Sequence, residues 1–133
     1  MARISINGEH SSYGESVEVN ESYEAVYKPI GDRYIIKYTE ITEDGKNIVV
    51  IKASKSEIKI KRRGYIDSLM IFKPGITRVN YSAGGMAVDM QINTILQEVK
   101  SSEKGVSINL VYKLLSGESV ITENKLFITV TED

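Results

Sequence analysis

The chain has 133 residues, a length typical of one domain around a single hydrophobic core, and we expect residues 1–133 to form that domain. Its 17 Lys and Arg residues nearly balance its 18 Asp and Glu residues, so its net charge gives no general attraction to nucleic acid or to an anionic membrane. It has no cysteine and a single histidine, His10, which excludes disulfides, cysteine nucleophiles and metal sites built from several histidines of one chain.

The composition also predicts where the protein works. We expect neither a secretory signal nor a membrane helix, because the first residues include no long apolar region and no run of about 18 apolar residues occurs. Since a lack of cysteine is typical of proteins in a reducing compartment, we expect a cytoplasmic protein.

The residue pattern predicts an all-β fold. β-Branched residues and tyrosines recur in short runs, and no segment keeps the period of an amphipathic helix. Residues that favour turns separate these runs, at Asp44-Gly45, Lys55-Ser56, Gly64, Pro74-Gly75, Gly84-Gly85, Gly105 and Gly117.

So many consecutive strands in a short chain favour a closed barrel. We expect about eight to ten antiparallel strands, each joined to the next by a hairpin. A single up-and-down β-barrel is favoured because closure removes the exposed edges of a sheet, and a β-sandwich is the alternative.

The first predicted hairpins assign side chains to the two faces of the sheet. If Asp44-Gly45 and Lys55-Ser56 are two-residue turns, Glu40 and Arg62 both lie opposite Val49. The inward face then contains Ile36, Tyr38, Glu40, Val49, Ile51, Ala53, Ile58, Ile60 and Arg62. The outward face contains Lys37, Lys52, Lys59, Lys61 and Arg63.

The later strands alternate between apolar and polar residues more regularly. A turn at Pro74-Gly75 places Ser68 opposite Tyr81, and the last strand is expected to close the barrel. The inward residues predicted by this alternation are Met70, Tyr81, Met86, Val88, Met90, Ile92, Ile108, Leu110, Tyr112, Leu126, Ile128 and Val130.

Several short motifs carry a family resemblance. In chain order they are RYIIKYTE at 33–40, IKRRG at 60–64, MIF at 70–72, Tyr81 followed by Gly85, and GVSINLVYKL at 105–114. Together they resemble the YwiB-like family of small uncharacterised bacterial proteins. The resemblance implies a calycin, or lipocalin-like, barrel with room for an interior cavity, and it implies no activity and no catalytic residue.

Glu40 and Arg62 are the most unusual residues of the predicted inward face. They have two interpretations: a structural charge pair near one end of the barrel, or a site in which Glu40 holds Arg62 against the carboxylate or phosphate of a mostly apolar ligand. Inward tyrosines and methionines leave the same choice between a packed core and a ligand cavity. The residues of this hypothetical ligand site are Arg62, Glu40, Tyr38, Tyr81, Tyr112, Met70 and Met90.

The outward face offers an alternative site for a protein partner. Lys37, Lys52 and Lys59 are predicted to lie in one row across neighbouring strands, where like charges repel unless a partner compensates them. A solvated outer face is the simpler interpretation, and nucleic acid is not expected because aromatic side chains are absent from this row. His10 lies in a polar segment, and we expect it on the surface.

These observations favour a binding protein over an enzyme. We expect no cofactor, no metal and no membrane contact, because no catalytic constellation is visible. The predicted ligand is a small amphipathic or anionic apolar molecule in the barrel, and the alternative is a protein–protein interaction or regulatory module that uses the outer surface. The sequence leaves a homodimer open.

Overall fold

The computed structural model describes residues 2–132 and confirms the all-β prediction. Ten antiparallel strands close into an up-and-down barrel, in which each strand pairs with its neighbours along the chain and β1 pairs with β10. The strands are β1 Ala2–Ser12, β2 Glu15–Ile30, β3 Arg33–Ile41, β4 Lys46–Ala53, β5 Ile58–Gly64, β6 Ile66–Phe72, β7 Gly75–Ala83, β8 Met86–Ser102, β9 Gly105–Ser116 and β10 Ser119–Glu132.

Across these residues the structure has no helix of the length and apolar character that a membrane crossing requires.

The core of the barrel is built from alternate side chains of all of the strands. β-Branched residues predominate, since they pack well on a pleated sheet with one buried face. The largest fully buried side chains are Phe72, Ile4, Ile36, Ile51, Ile58, Ile92, Ile108, Leu110, Ile128, Val49, Val106 and Val130. The predicted inward residues Met86 and Val88 differ, because they lie near the end of a long hairpin and remain 72% and 43% exposed.

Two of the predicted hairpin registers are confirmed. Arg62 pairs with Val49 across β4 and β5, and Ser68 pairs with Tyr81 across β6 and β7. The Ser54 N–H donates to the Glu57 carbonyl at 2.9 Å, as a two-residue turn requires.

The predicted register between β3 and β4 is wrong by two residues. Glu40 pairs with Asn47, and Val49 pairs with Tyr38. The turn lies at Glu43-Asp44, one residue before the predicted Asp44-Gly45, and is closed by a hydrogen bond of 2.9 Å from the Thr42 N–H to the Gly45 carbonyl. Because a shift of two residues preserves the alternation, every side chain of both strands keeps its predicted face.

The ladder between β2 and β3 is short for the length of β2. β2 pairs with β1 along residues 15–25, but it pairs with β3 only along Val26–Ile30. The aromatic rings of Tyr23 and Tyr38 stack across this seam, with ring centroids 5.3 Å apart. Side-chain packing there takes the place of backbone hydrogen bonds.

Candidate functional site: the interior cavity

A cavity of about 190 Å³ lies within the barrel, bounded by residues of eight strands. Its polar lining residues come from β1, β2, β3, β5 and β9. The cavity is lined by Ile6, His10, Val19, Glu21, Tyr38, Glu40, Ile51, Ile60, Arg62, Met70, Phe72, Tyr112, Leu126 and Ile128.

Arg62 and Glu40 form a two-point ion pair in this cavity. The Arg62 Nε donates to Glu40 Oε1 at 3.2 Å, and its Nη2 donates to Oε2 at 3.4 Å. The two side chains are 25% and 12% exposed. Because of the corrected β3–β4 register, the pair spans a diagonal between strands instead of one cross-strand row.

Asn47 holds the carboxylate from the other side. Its side chain donates from Nδ2 to Glu40 Oε1 at 3.1 Å, and its Oδ1 accepts a hydrogen bond of 2.8 Å from the Ile66 N–H. Asn47 is only 1% exposed, so this link to the backbone is shielded from water. The guanidinium of Arg62 is therefore fixed through two buried partners.

The environment keeps Arg62 charged. Burial strips water from the guanidinium and would by itself lower its pKa, but the carboxylate of Glu40 and, to a smaller extent, Tyr38 outweigh that effect. The net result is a raised pKa. The cavity thus holds a permanent cation beside a carboxylate.

Two buried tyrosines present hydroxyl groups without a protein partner. Tyr38 and Tyr112 are 5% and 6% exposed, and neither hydroxyl hydrogen-bonds to any group within residues 2–132. Among the described residues, the side-chain oxygens and nitrogens that are fully buried and lack a hydrogen-bond partner are Thr94 Oγ1 and Gln97 Oε1. The hydroxyls of Tyr38 and Tyr112 are not among them, so both hydroxyls keep access to open space.

Both hydroxyls remain protonated and can donate. Burial raises the pKa of Tyr38 and of Tyr112, and the nearby charge of Arg62 lowers both values by less than burial raises them. Arg62 also keeps one nitrogen, Nη1, without a partner among the described residues. Three residues that line one cavity therefore carry unused donors.

His10 was predicted to lie on the surface, and that prediction is wrong. It is half-buried, lines the cavity, and its Nδ1 hydrogen-bonds to Oδ1 of Asn124, a residue only 3% exposed. Asn124 Nδ2 donates to Thr122 Oγ1 at 2.9 Å, so its oxygen faces the ring and Nδ1 acts as the donor. The other ring nitrogen, Nε2, is left for a ligand.

Glu21 is a second cavity residue that the sequence analysis missed. Its Oε2 accepts a hydrogen bond of 2.7 Å from the Tyr23 hydroxyl. Alternation could have found both residues, since His10 continues the inward series of Ile4 and Ile6, and Glu21 lies one step from Tyr23 on the same face of β2. Their polar neighbours in sequence concealed this pattern.

The cavity brings together five of the seven residues of the predicted ligand site: Tyr38, Glu40, Arg62, Met70 and Tyr112. Tyr81 lies elsewhere, on a wider and more open groove of about 810 Å³ formed by β5 to β8. Met90 packs against the hydrophobic core and does not line the cavity.

The predicted row of three lysines is only partly correct. Lys52 and Lys59 pair across β4 and β5, but Lys37 pairs with Val26 and Val50 and so lies outside the row. The two-residue register shift between β3 and β4 accounts for the difference. Lys59 is also 3.3 Å from the Glu57 carboxylate, which compensates part of the repulsion.

The fold and the cavity define the class of the protein: a small, closed, antiparallel β-barrel with charged groups in its interior. The chain belongs to the family described as "Domain of unknown function (DUF1934)", whose model matches residues 4–128.

A solved structure shares this fold. The crystal structure of the ywiB protein from Bacillus subtilis superimposes with a TM-score of 0.89, covering 99% of this chain and 91% of that chain at 16% sequence identity. The predicted resemblance to the YwiB-like family is thereby confirmed, and at this identity the comparison concerns the fold. No curated protein matches the chain.

Proposed function

We propose that this protein binds a small carboxylic acid in its interior cavity and acts as a binding protein without catalysing a reaction. The observation that carries the proposal is the set of unused donors: Arg62 Nη1 and the hydroxyls of Tyr38 and Tyr112. A carboxylate has two oxygens that accept several hydrogen bonds, so it matches such a set.

The rest of the lining matches the apolar part of such a ligand. Ile51, Ile60 and Phe72 form a hydrophobic wall, and the ring of Phe72 meets that of Tyr112 edge-on with centroids 4.8 Å apart. An engineered apolar cavity of about 150 Å³ binds benzene, so a cavity of about 190 Å³ fits a carboxylic acid no larger than benzoate.

Preorganisation supports binding by Arg62. Its side chain would lose conformational freedom on meeting an anion in solution, but here Glu40 and Asn47 already hold the guanidinium. The ion pair uses Nε and Nη2 and leaves Nη1 free. Arg62 can therefore pair with Glu40 and bind an anion at the same time.

A protein partner on the outer surface has weaker support. The pairing of Lys52 with Lys59 is the one feature that favours it, and Glu57 offsets the charge of Lys59. The interior cavity, with its unused buried donors, gives the more specific hypothesis.

The test is calorimetric titration of the protein with benzoate. Tyr112→Phe should bind benzoate about tenfold more weakly than the wild type, because it removes one hydrogen bond to a charged group. Its free energy of unfolding should change little, since the hydroxyl has no partner within residues 2–132. Tyr81→Phe is the matched control, as Tyr81 lies outside the cavity, and its affinity should equal that of the wild type.

Two results would contradict the proposal. One is the absence of heat and of any change in melting temperature with benzoate and with the slimmer acid pentanoate. The other is equal affinity in the wild type, Tyr112→Phe and Tyr81→Phe, which would show that the bound acid lies outside this cavity.

A further inference from the structure

The charges of the cavity do not balance. Two carboxylates, those of Glu21 and Glu40, and one guanidinium, that of Arg62, line it. The cavity therefore has a formal excess of one negative charge. A simple monocarboxylate would increase this excess in a space largely shielded from water, where like charges repel strongly.

The unused acceptors lie on the β1 and β2 part of the lining. Glu21 Oε2 is engaged by Tyr23, while Oε1 has no hydrogen-bond partner among the described residues. His10 commits Nδ1 to Asn124, and the lone pair of its Nε2 is left. This part of the cavity offers a carboxylate oxygen and a ring nitrogen as acceptors, and both suit a ligand that donates.

Donors and acceptors thus occupy different parts of one cavity. The donors belong to β3, β5 and β9, through Tyr38, Arg62 and Tyr112, whereas the acceptors belong to the β1–β2 hairpin. Such a division matches a ligand with an anionic group at one point and a cationic group at another.

We infer that the ligand of this cavity is a small amino acid or a similar zwitterion, whose carboxylate meets Arg62, Tyr38 and Tyr112 and whose ammonium meets Glu21 and His10. This inference rests on the proposed function, because it concerns the same cavity. A zwitterion adds no net charge, so the charge excess of the cavity stays as it is when the ligand binds.

The separation between the two groups of the ligand is short. Tyr23, which donates to Glu21 Oε2, stacks on Tyr38 with ring centroids 5.3 Å apart, so the two parts of the site adjoin. A cavity of about 190 Å³ also limits the ligand to a chain of few atoms.

The test compares three probes of similar size: pentanoate, L-2-aminopentanoate and 5-aminopentanoate. Each is titrated into the wild type and into Glu21→Gln by calorimetry. At least one amino acid should bind the wild type about tenfold or more tightly than pentanoate, since its ammonium gains a charge-assisted hydrogen bond. The position of the amino group in the tighter probe reports the separation of the two subsites.

Glu21→Gln should change the two kinds of probe in opposite directions. The affinity for the amino acid should fall about tenfold, because its ammonium loses a carboxylate partner, and the affinity for pentanoate should rise, because a negative charge leaves the cavity. The glutamine amide oxygen can still accept from Tyr23, so the fold is expected to persist, and thermal unfolding checks it. Glu18→Gln, on the exposed face of the same strand, is the matched control and should change neither affinity.

The outcomes separate this inference from the proposed function. If pentanoate binds as tightly as both amino acids, the inference is wrong while the cavity remains a carboxylate site. If the amino acid that binds more tightly than pentanoate has the same affinity for Glu21→Gln as for the wild type, the assignment of Glu21 is wrong. If none of the three probes binds, the inference is overturned, and the proposed function is overturned with it when benzoate also fails to bind.

Discussion

At the scale of single residues, Glu40 shows how a charge is accommodated inside an apolar barrel. Its carboxylate accepts two hydrogen bonds from Arg62 and one from Asn47, and these contacts offset the loss of water. Removing either charged partner would leave the other buried and unpaired. Loss of either residue alone is thus expected to destabilise the fold, even where Arg62 also serves a ligand.

Tyr23 makes stability depend on pH in the alkaline range. Burial, and then its hydrogen bond to Glu21, raise the pKa of Tyr23 from an ordinary 10.0 to about 12. In the unfolded chain the hydroxyl loses its proton first, so the native state is favoured by this residue below pH 10.0 and loses that advantage as the pH rises to about 12.

We expect Tyr23→Phe to reduce this dependence. The free energy of unfolding should fall less steeply in the variant than in the wild type between pH 10.0 and about 12. Urea unfolding followed by circular dichroism at several pH values measures both slopes. Tyr38 and Tyr112 contribute in the same direction, so some slope remains in the variant. Identical slopes would show that Tyr23 titrates alike in both states.

At the scale of elements, the turn from β5 to β6 positions the site. Gly64 pairs with Asn47, has a φ of +151°, and comes so close to β4 that a Cβ there would lie 2.2 Å from the Lys46 carbonyl oxygen. The close approach lets the Ile66 N–H reach Asn47, which in turn holds Glu40. Only glycine satisfies both the backbone angle and the lack of space.

Gly64→Ala should therefore destabilise the protein by more than the strain of a positive φ alone explains. We expect it to lower the free energy of unfolding by about 3 kcal/mol or more, because the β4 backbone must move. Gly84→Ala is the matched control: Gly84 has a φ of +58° with nothing within 4 Å of an added Cβ. The free energy of unfolding of this control should fall by only about 1 to 2 kcal/mol. Chemical unfolding measures the stability of both variants. Equal losses of free energy of unfolding would mean that the steric contact at Gly64 is easily relieved.

The hairpin of β1 and β2 contributes to the cavity and is only partly paired with β3. It supplies His10 and Glu21, yet residues 15–25 of β2 form no ladder with β3. Segments with fewer backbone hydrogen bonds open at lower free energy. The part of β2 without a ladder to β3 includes Glu21, which lines the cavity, so we expect local opening of this segment to expose the cavity.

At the scale of the whole molecule, closure makes the ten strands interdependent. β1 pairs with β10 from Ala2 to Ser11, which joins the first strand to the last and leaves neither of them as an edge strand. The core is continuous around the barrel, so a loss of packing at one strand is felt by the strands on both sides.

Ile108→Ala should destabilise the whole barrel in one transition. Ile108 is fully buried on β9, and its truncation should lower the free energy of unfolding by about 3 kcal/mol through lost burial and a new cavity. Ile76→Ala, at a position 64% exposed on β7, is the control and should change the value by less than about 0.5 kcal/mol. Urea unfolding measures both, and similar losses would contradict the assignment of the core.

The alternation of the sequence by itself determined the class of fold, the number of strands to within two and the inward face of most of them. These features follow from local chemistry, because turn residues mark the strand ends and a strand with one buried face must alternate. The same alternation placed Arg62 and Glu40 inside the barrel.

Only the tertiary structure decided which inward polar residues meet. The β3–β4 register depended on a turn at Glu43-Asp44, one residue before the Asp44-Gly45 motif that predicted it. His10 reached Asn124 only because β1 and β10, at opposite ends of the chain, close the barrel. Pairing across such a distance depends on the shape of the whole barrel and leaves no short pattern in the sequence. The predicted arginine site therefore became a cavity with donors and acceptors in separate parts.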